Sequence, residues 1–450
     1  MGGAAHMRVI IIASLAGMLF GFDTAVIAGV TSALRSVFIL TPAGLGAAVS
    51  SALWGTLAGA LALGRPGDRF GSRDMLRVIG LLYVASALGC AFAWDIRSFM
   101  LWRFLAGVAI GGSSVLAPVY LAELAQAERR GALVGLFQVN IVAGILLAYG
   151  SNFCVARFVI GGDVWRYKLA VAALPALLFL GLLFTIPQSP RWLALKGRIA
   201  QAEASLRRLG SADPQVQLAE FQAGRANDGA QQRLSWSAHR GPILLAIGLA
   251  CFNQLSGINA ILYYLGDIFA AAGFSSVSAD AQSVAVGATN LLATLLGMSL
   301  IDRLGRKKLL LLGAIGMAIA LFGVALVMAN QMARGGLLIL LIAFIASFAL
   351  SQGAVIWVYL SEIFPTAVRA RGQSMGSAAH WLLNALISGL FPVIAAHSKA
   401  APFAFFAAMM VLQLLIVGLF FPETRGVPLE QIANLLRRTN LVSADTRRSD

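Results

Sequence analysis

An acid and a base stand where neither is easy to hold. Asp23 and Arg103 are each embedded in apolar sequence, Leu19-Phe20-Gly21-Phe22-Asp23-Thr24-Ala25-Val26 and Met100-Leu101-Trp102-Arg103-Phe104-Leu105. A lone charge in hydrocarbon is costly, so the two are expected to partner each other. Protonating the acid would release the base and change the contact between their helices. The alternative is a static ion pair that only holds helices together. A second set is polar but uncharged: Asn253, Gln254, Asn259, Gln138 and Asn290, with Trp357, His380 and Trp381. Amides and indole N–H groups can replace the hydrogen bonds that a polyhydroxylated solute loses with its water. A flat aromatic face suits the C–H surface of such a solute. The spacing of Asn253, Gln254 and Asn259 keeps them roughly on one side, and Gly257 beside them could let a helix break there. Taken singly, each intramembrane amide is as readily an interhelical hydrogen bond.

These residues need elements to position them, and the composition says of what kind. The chain has 450 residues, 59% hydrophobic and 12% charged, with 47 glycines. Soluble domains carry roughly 25% charged residues. Apolar runs long enough to cross the hydrocarbon core lie near 8–30, 44–63, 77–94, 98–120, 132–152 and 168–186, then 243–266, 282–301, 309–329, 336–360, 372–396 and 402–421. Asp23 and Arg103 are the only charged residues well inside these predicted spans. Twelve spans put both termini on one side, and one long polar stretch, 187–242, sits between the sixth and seventh.

The net charge of +15 is explained by where the cations lie. Of 34 Lys and Arg residues, 26 fall at Arg8, the 64–77 loop, Arg129, Arg130, the central stretch, the 302–308 loop, Arg369, Arg371 and the C-terminal tail. Seven lie on the opposite side, and Arg103 is inside a span. The positive-inside rule makes both termini and the central loop cytoplasmic. The basic balance is thus topology, and nucleic-acid binding is excluded as its cause. Cys90, Cys154 and Cys251 show neither metal spacing nor a disulfide framework, so no metal and no cofactor is expected. The first apolar run is long enough to stay as a span rather than be cleaved. No Asn-x-Ser/Thr sequon occurs, which favours a bacterial inner membrane.

The two halves repeat at an offset of about 235, the mark of a duplicated unit. Gly64-Arg65-Pro66-Gly67-Asp68-Arg69-Phe70-Gly71-Ser72-Arg73 follows the second span, and Asp302-Arg303-Leu304-Gly305-Arg306-Lys307 the eighth. Glu123 with Arg130 follows the fourth, and Glu362 with Arg369 the tenth. Pro187-Gln188-Ser189-Pro190-Arg191 closes the sixth, and Pro422-Glu423-Thr424-Arg425 the twelfth. Any one of these charges alone would be ordinary loop anchoring. Repeated at equivalent positions, Asp68, Arg69, Arg73, Glu123 and Arg130, with Asp302, Arg306, Glu362, Arg369 and Glu423, are expected to form a cytoplasmic gate. Two six-helix halves joined by a linker can rock about a site at their interface.

The expected fold is therefore an all-α membrane protein with twelve transmembrane helices in two pseudo-symmetric six-helix bundles. The domains are an N-terminal bundle over 8–186, a cytoplasmic linker over 187–242, a C-terminal bundle over 243–421 and a tail over 422–450. Within the linker, Arg198 to Leu209 places Ala202, Leu206 and Leu209 on one helical face. A tail helix near 429–436 shows the same spacing, and 211–232 reads as a basic, disordered-type linker.

Several runs resemble the sugar porter family of the major facilitator superfamily, over about residues 14–432. They are Gly21-Phe22-Asp23-Thr24-Ala25-Val26-Ile27-Ala28-Gly29, Pro118-Val119-Tyr120-Leu121-Ala122-Glu123, Pro187-Gln188-Ser189-Pro190-Arg191-Trp192-Leu193, Gln254-Leu255-Ser256-Gly257-Ile258-Asn259 and Pro422-Glu423-Thr424-Arg425-Gly426. Within that family the chain is most similar to bacterial proton-coupled xylose-type symporters. The resemblance implies the major facilitator fold and transport of a monosaccharide, pentose or hexose, with protons, by a monomer in the lipid bilayer. It implies sugar contact by Gln138, Gln254, Asn259, Asn290, Trp357 and Trp381, with Phe20 and Tyr263 as lining aromatics. It also implies that Asp23, where facilitators carry an amide, takes the proton.

The chain departs from the family pattern at four places. His380 stands where Gln or Asn is usual, Asn253 replaces a Gln, and Ala354 replaces a Pro, which would stiffen the tenth span. Ser72 and Gln188 together replace an Arg and a Glu that pair in the family's gate, with Arg73 a candidate substitute. The expected consequence is a weaker cytoplasmic gate. Competing readings are a facilitative sugar, polyol or cyclitol uniporter and a non-transporting sugar receptor, though the tail after Glu423 is short for a receptor. Drug export would prefer an apolar cavity. No hydrolase, transferase or phosphate-loop constellation occurs, so an enzyme is not expected.

Overall fold

The computed structural model describes residues 3–124, 130–211, 213–227, 234–330, 334–365 and 368–426. The tail helix expected near 429–436 lies outside these. Among the described residues there are helices and no strands. Twelve helical stretches are long and apolar enough to cross a membrane. The chain divides into two compact units, Met1–Ala230 and Gln231–Asp450.

The first unit holds spans one to six: Met7–Gly29, Pro42–Ala62, Ser72–Ala91, Ile96–Leu121, Gly135–Phe158 and Val164–Leu183. Its core gathers Ala13, Ala16 and Leu19 of the first span, Leu76, Ile79 and Tyr83 of the third, Leu116 and Tyr120 of the fourth and Phe179 of the sixth. Small residues let backbones touch where lipid gives no hydrophobic drive between helices. A side chain at Gly21 would strike the Ile141 carbonyl and one at Gly144 the Met18 carbonyl, so the first and fifth spans meet backbone to backbone. Helix starts are marked in the sequence. Thr41 Oγ1 accepts from Gly44 N at 3.1 Å with Pro42 in the first turn, and Ser275 Oγ accepts from Ser278 N at 3.3 Å.

Three short helices follow the sixth span in the same unit: Pro190–Leu195, Ile199–Arg208 and Pro214–Asn227. Ala202, Leu206 and Leu209 are buried as their spacing required. The third helix corrects the reading of 211–232 as a disordered-type linker. Its Leu218 and Phe221 pack on Trp192, Leu193, Ala202 and Leu206, which supplies the apolar partner that charge composition alone does not reveal.

The second unit holds spans seven to twelve: Trp236–Tyr263, Ser276–Leu304, Arg306–Asn330, Gly336–Glu362, Arg371–His397 and Ala401–Phe420. The eighth helix begins well before the predicted 282, because Ser275 caps it. It takes in buried Asp280, so Asp23 and Arg103 are not the only charges inside spans. Lys168 of the sixth span is a further one, its Nζ donating to the Gly29 carbonyl at 2.9 Å. The tenth span is not a continuous α-helix. A π-helical turn at Ala349–Gly353 precedes Ala354, so a wide turn forms here without proline.

The seventh span breaks where the glycine stands. Helix Trp236–Leu255 ends, Gly257 takes φ 78°, and helix Ile258–Tyr263 restarts. A residue with a Cβ would strain at that φ and meet the Phe406 ring.

Candidate functional site

The break aims side chains from both of its sides into one cluster. Ser256 Oγ donates to the Asn253 carbonyl at 2.6 Å and accepts from Ile258 N at 3.3 Å, which fixes the turn. Asn259 Nδ2 then donates to Gln254 Oε1 at 3.1 Å, and Gln254 Nε2 donates to Asn253 Oδ1 at 3.0 Å. The same Nε2 lies 3.1 and 3.2 Å from the two ring nitrogens of His380. His380 sits between two indoles, 5.4 Å from Trp357 and 5.0 Å from Trp381, ring centre to ring centre. Asn253, Gln254, Asn259, Trp357, His380 and Trp381 therefore form one amide-and-aromatic group within the second unit. A neutral imidazole offers Gln254 a lone pair, as the amide usual at that position would.

Tyr263 is buried beyond the break, its hydroxyl accepting from Asn384 Nδ2 at 3.3 Å. Asn384 Oδ1 accepts from Ser388 Oγ at 3.1 Å, and Tyr264 donates to the Ser388 carbonyl at 3.0 Å. Sequence reasoning missed Asn384, although it falls one helical turn after His380 and hence on the same face. Asn290 is buried in the eighth span without a hydrogen bond to the amide group among the described residues. In the first unit, Gln138 is half-buried on the fifth span, and Phe20 packs at the edge of the core.

Asp23 and Arg103 meet. Arg103 Nη1 reaches both carboxylate oxygens, at 3.0 and 2.9 Å, with side chains 11% and 4% exposed. Arg103 Nε is buried with no hydrogen-bond partner. One nitrogen thus holds the acid, rather than a two-pronged fork.

The two charged clusters share a plan but differ in several parts. In the second unit Arg306 donates from Nη2 to Glu362 Oε1 at 2.7 Å and from Nε to Oε2 at 3.2 Å. Its Nη1 binds Asp302 at 3.0 Å, and Glu423 accepts from the Arg306 and Lys307 amides at 2.9 and 3.1 Å. Arg369 Nε donates to the Phe364 carbonyl at 3.4 Å. In the first unit Gln188 Oε1 accepts from the Arg73 amide at 3.3 Å, and its Nε2 donates to Asp74 Oδ2 at 3.2 Å. Arg73 does not replace the missing guanidinium. It pairs with Asp74 at 2.8 Å and donates to the Ile186 carbonyl, because it lies one residue further round the helix than Ser72. Asp68 and Arg69 are exposed and join no ion pair among the described residues; the Arg130 side chain lies outside the described part. Asp74 was not anticipated as the centre of this cluster, where it also binds Arg77 at 3.0 Å.

Glu123, just past the fourth span, is left in the environment this produces. Burial pushes its carboxyl above the usual range, opposed by a Ser189 hydrogen bond and the Arg191 charge and reinforced by Asp68.

Comparison with known proteins gives the family. The family model for sugar (and other) transporters matches residues 9–436. The D-xylose-proton symporter of Escherichia coli K12 is 36% identical over 465 residues, covering 94% of each chain. The glucose facilitated diffusion protein of Zymomonas mobilis is 34% identical over 464 residues, covering 96% of this chain and 97% of its own. The inward-open structure of the xylose transporter XylE from E. coli superimposes with a TM-score of 0.85 at 34% identity, covering 96% of this chain and 99% of that one. The chain belongs to the sugar (and other) transporter family and is a multi-pass membrane transporter, not an enzyme.

Proposed function

We propose that this protein imports a monosaccharide, a pentose or hexose, together with protons, by alternating access. The observation that carries the reading is the buried Asp23–Arg103 pair, an acid held by one guanidinium nitrogen inside apolar helices. A relative that is a proton symporter, D-xylose-proton symporter of E. coli, supports the same assignment. In this reading Asp23 carries the proton and Arg103 senses its arrival. Asn253, Gln254, Asn259 and His380 exchange their mutual hydrogen bonds for those of the sugar hydroxyls, and Trp357 and Trp381 cover its C–H faces. Gln138, Phe20, Asn290 and Tyr263 are the further sugar-lining candidates. A proton crossing about 100 mV brings roughly 2.3 kcal/mol, enough for accumulation by several tens-fold at one proton per sugar.

The Lys and Arg distribution orients both termini and the 187–242 stretch to the cytoplasm, in a bacterial inner membrane. The charged clusters then act at the cytoplasmic end, and the protein works as a monomer. A second reading, facilitated diffusion, is favoured by the Zymomonas relative.

The deciding experiment is uptake into proteoliposomes of labelled xylose, glucose and galactose, with and without an inward proton gradient, beside Asp23→Asn. Accumulation above equilibrium that disappears in the variant while sugar exchange survives is the expected result. Equilibration indifferent to the gradient would make the protein a facilitator and the pair structural.

A further inference from the structure

Gln413 is a polar side chain in an apolar run, Met409-Met410-Val411-Leu412-Gln413-Leu414-Leu415, of the twelfth span. In hydrocarbon an amide needs a partner from a neighbouring helix. The partner is Gln352, in the π-helical turn Ala349–Gly353 of the tenth span and in the same unit. Both side chains are fully buried, and Gln352 Nε2 donates to Gln413 Oε1 at 2.6 Å, with Met410 Sδ 3.7 Å from the same nitrogen. The pair is half-satisfied. Gln352 Oε1 and Gln413 Nε2 are buried with no hydrogen-bond partner among the described residues. One is an acceptor and the other a donor, so each is what the other lacks. Exchanging oxygen and nitrogen in both amides leaves the same count, one bond and one complementary pair of orphans.

The amides meet where the tenth span departs from the α-helix. A π-turn inserts an extra residue into one helical turn, and such turns recur at functional sites. Glycine faces this one from two neighbours. A Cβ on Gly297 of the eighth span would meet the Ala349 carbonyl and Leu350, and one on Gly313 of the ninth would meet Ser351. Ser351 Oγ turns back on its own helix and donates to the Ser347 carbonyl at 2.6 Å. Beyond the turn, helix Ala354–Glu362 carries Trp357, 5.4 Å from His380, and Glu362, which holds Arg306. A shift at the turn therefore displaces a member of the amide-and-aromatic group. Two amides can close a ring of two reciprocal N–H···O bonds, so a second arrangement exists that satisfies both orphans.

We propose that Gln352 and Gln413 are positioning residues of the transport cycle. They form a two-state amide latch, with one bond in the arrangement described here and two reciprocal bonds in the other, and it sets where the Trp357-bearing half of the tenth span stands. Burial gives the latch its force, because an orphaned amide atom in hydrocarbon cannot fall back on solvent. The orphans disfavour the present arrangement by what one net hydrogen bond is worth, about a 2- to 10-fold ratio of populations. The inference rests on the alternating-access part of the reading above. It depends neither on which sugar is carried nor on protons.

The test is fluorine NMR of the full chain in lipid nanodiscs, with ring-fluorinated tryptophan and the Trp357 signal assigned by Trp357→Phe, beside thermal unfolding of the same proteins. Gln352→Leu and Gln413→Leu each strand the remaining amide and are expected to lower the unfolding midpoint. The double variant strands nothing and is expected to recover it. Its Trp357 signal is nevertheless expected to stay displaced from the parent's, by about a 2- to 10-fold change in the ratio of two populations toward the present arrangement. Gln352→Asn keeps the amide but shortens its reach, and should move the signal the same way, which keeps the test decisive if the Leu variants fail to fold. A merely structural pair would recover midpoint and signal together in the double variant, and that overturns the proposal. So does a Trp357 signal that is the same in the parent and in every folded variant. Neither sugar nor gradient enters the measurement, so its failure is distinct from a failure of the uptake assay.

Discussion

Asn259 donates to Gln254 across a break in their helix, Nδ2 to Oε1 at 3.1 Å, with left-handed Gly257 between them. The bond fixes the sense of a short relay. Because Gln254 Oε1 accepts from Asn259, its Nε2 must face Asn253 and His380. Four polar groups thus have their donors and acceptors ordered before any solute arrives, which limits the entropy that binding must overcome.

That ordering predicts the effect of removing one member. Asn259→Ala leaves Gln254 Oε1 buried without its donor and takes one amide from the solute. The half-saturating concentration for the transported sugar should rise about 5- to 150-fold, the equivalent of losing roughly 1–3 kcal/mol. Uptake kinetics in proteoliposomes measure it, and an unchanged half-saturation would remove Asn259 from the site.

The Asp23–Arg103 pair makes a stability prediction distinct from its transport role. Arg103→Ala strands a buried carboxylate and should cost about 3–5 kcal/mol, whereas neutralising both residues removes the stranded charge. Thermal unfolding in detergent should therefore rank Arg103→Ala well below the Asp23→Asn, Arg103→Gln double variant. Equal midpoints for the two would mean the pair is hydrated and not a buried ion pair.

The spans were legible because hydrocarbon imposes a length, and Asp23 pointed to Arg103 because a buried charge needs a partner. Local chemistry marked the break at Gly257. What stayed hidden depends on contacts with no sequence period. Asp280 entered a helix because Ser275 capped it early. Residues 214–227 became helical because Leu218 and Phe221 found Trp192 and Leu206. Arg73 was a fair candidate by charge, yet one residue of helical rotation turned it to Asp74. The π-turn at Ala349–Gly353 has no proline to announce it.

Glu123 gives stability a sign in pH. Burial holds its carboxyl above the usual range, so the folded chain binds this proton more tightly than the unfolded chain does. Stability from this group is fully present below the unfolded pKa, near 4.3. It is lost as pH rises through the folded value. Glu123→Gln lacks that loss. As pH rises above that unfolded value, the variant's unfolding midpoint should overtake the parent's, the sign being set by the upward direction of the shift. A constant difference above that value would show that Glu123 does not titrate there.

The Ser72 and Gln188 pair predicts non-additivity. Gln188 Nε2 donates to Asp74 Oδ2 at 3.2 Å, so Gln188→Glu alone would set two carboxylates against each other. Ser72→Arg alone places a bulky cation in a buried hydroxyl's space, although Glu123 stands ready to receive it. Made together, the new cation faces both carboxylates, as Arg306 does beside Glu362 and Glu423. The double variant should be more stable than the sum of the singles by roughly 0.5–3 kcal/mol in a double-mutant cycle. If the clusters gate access from the cytoplasmic side as proposed, the restored cluster should also slow thiol labelling of a single cysteine engineered on that side. Labelling unchanged by the double variant would show that the two lost charges do not govern access.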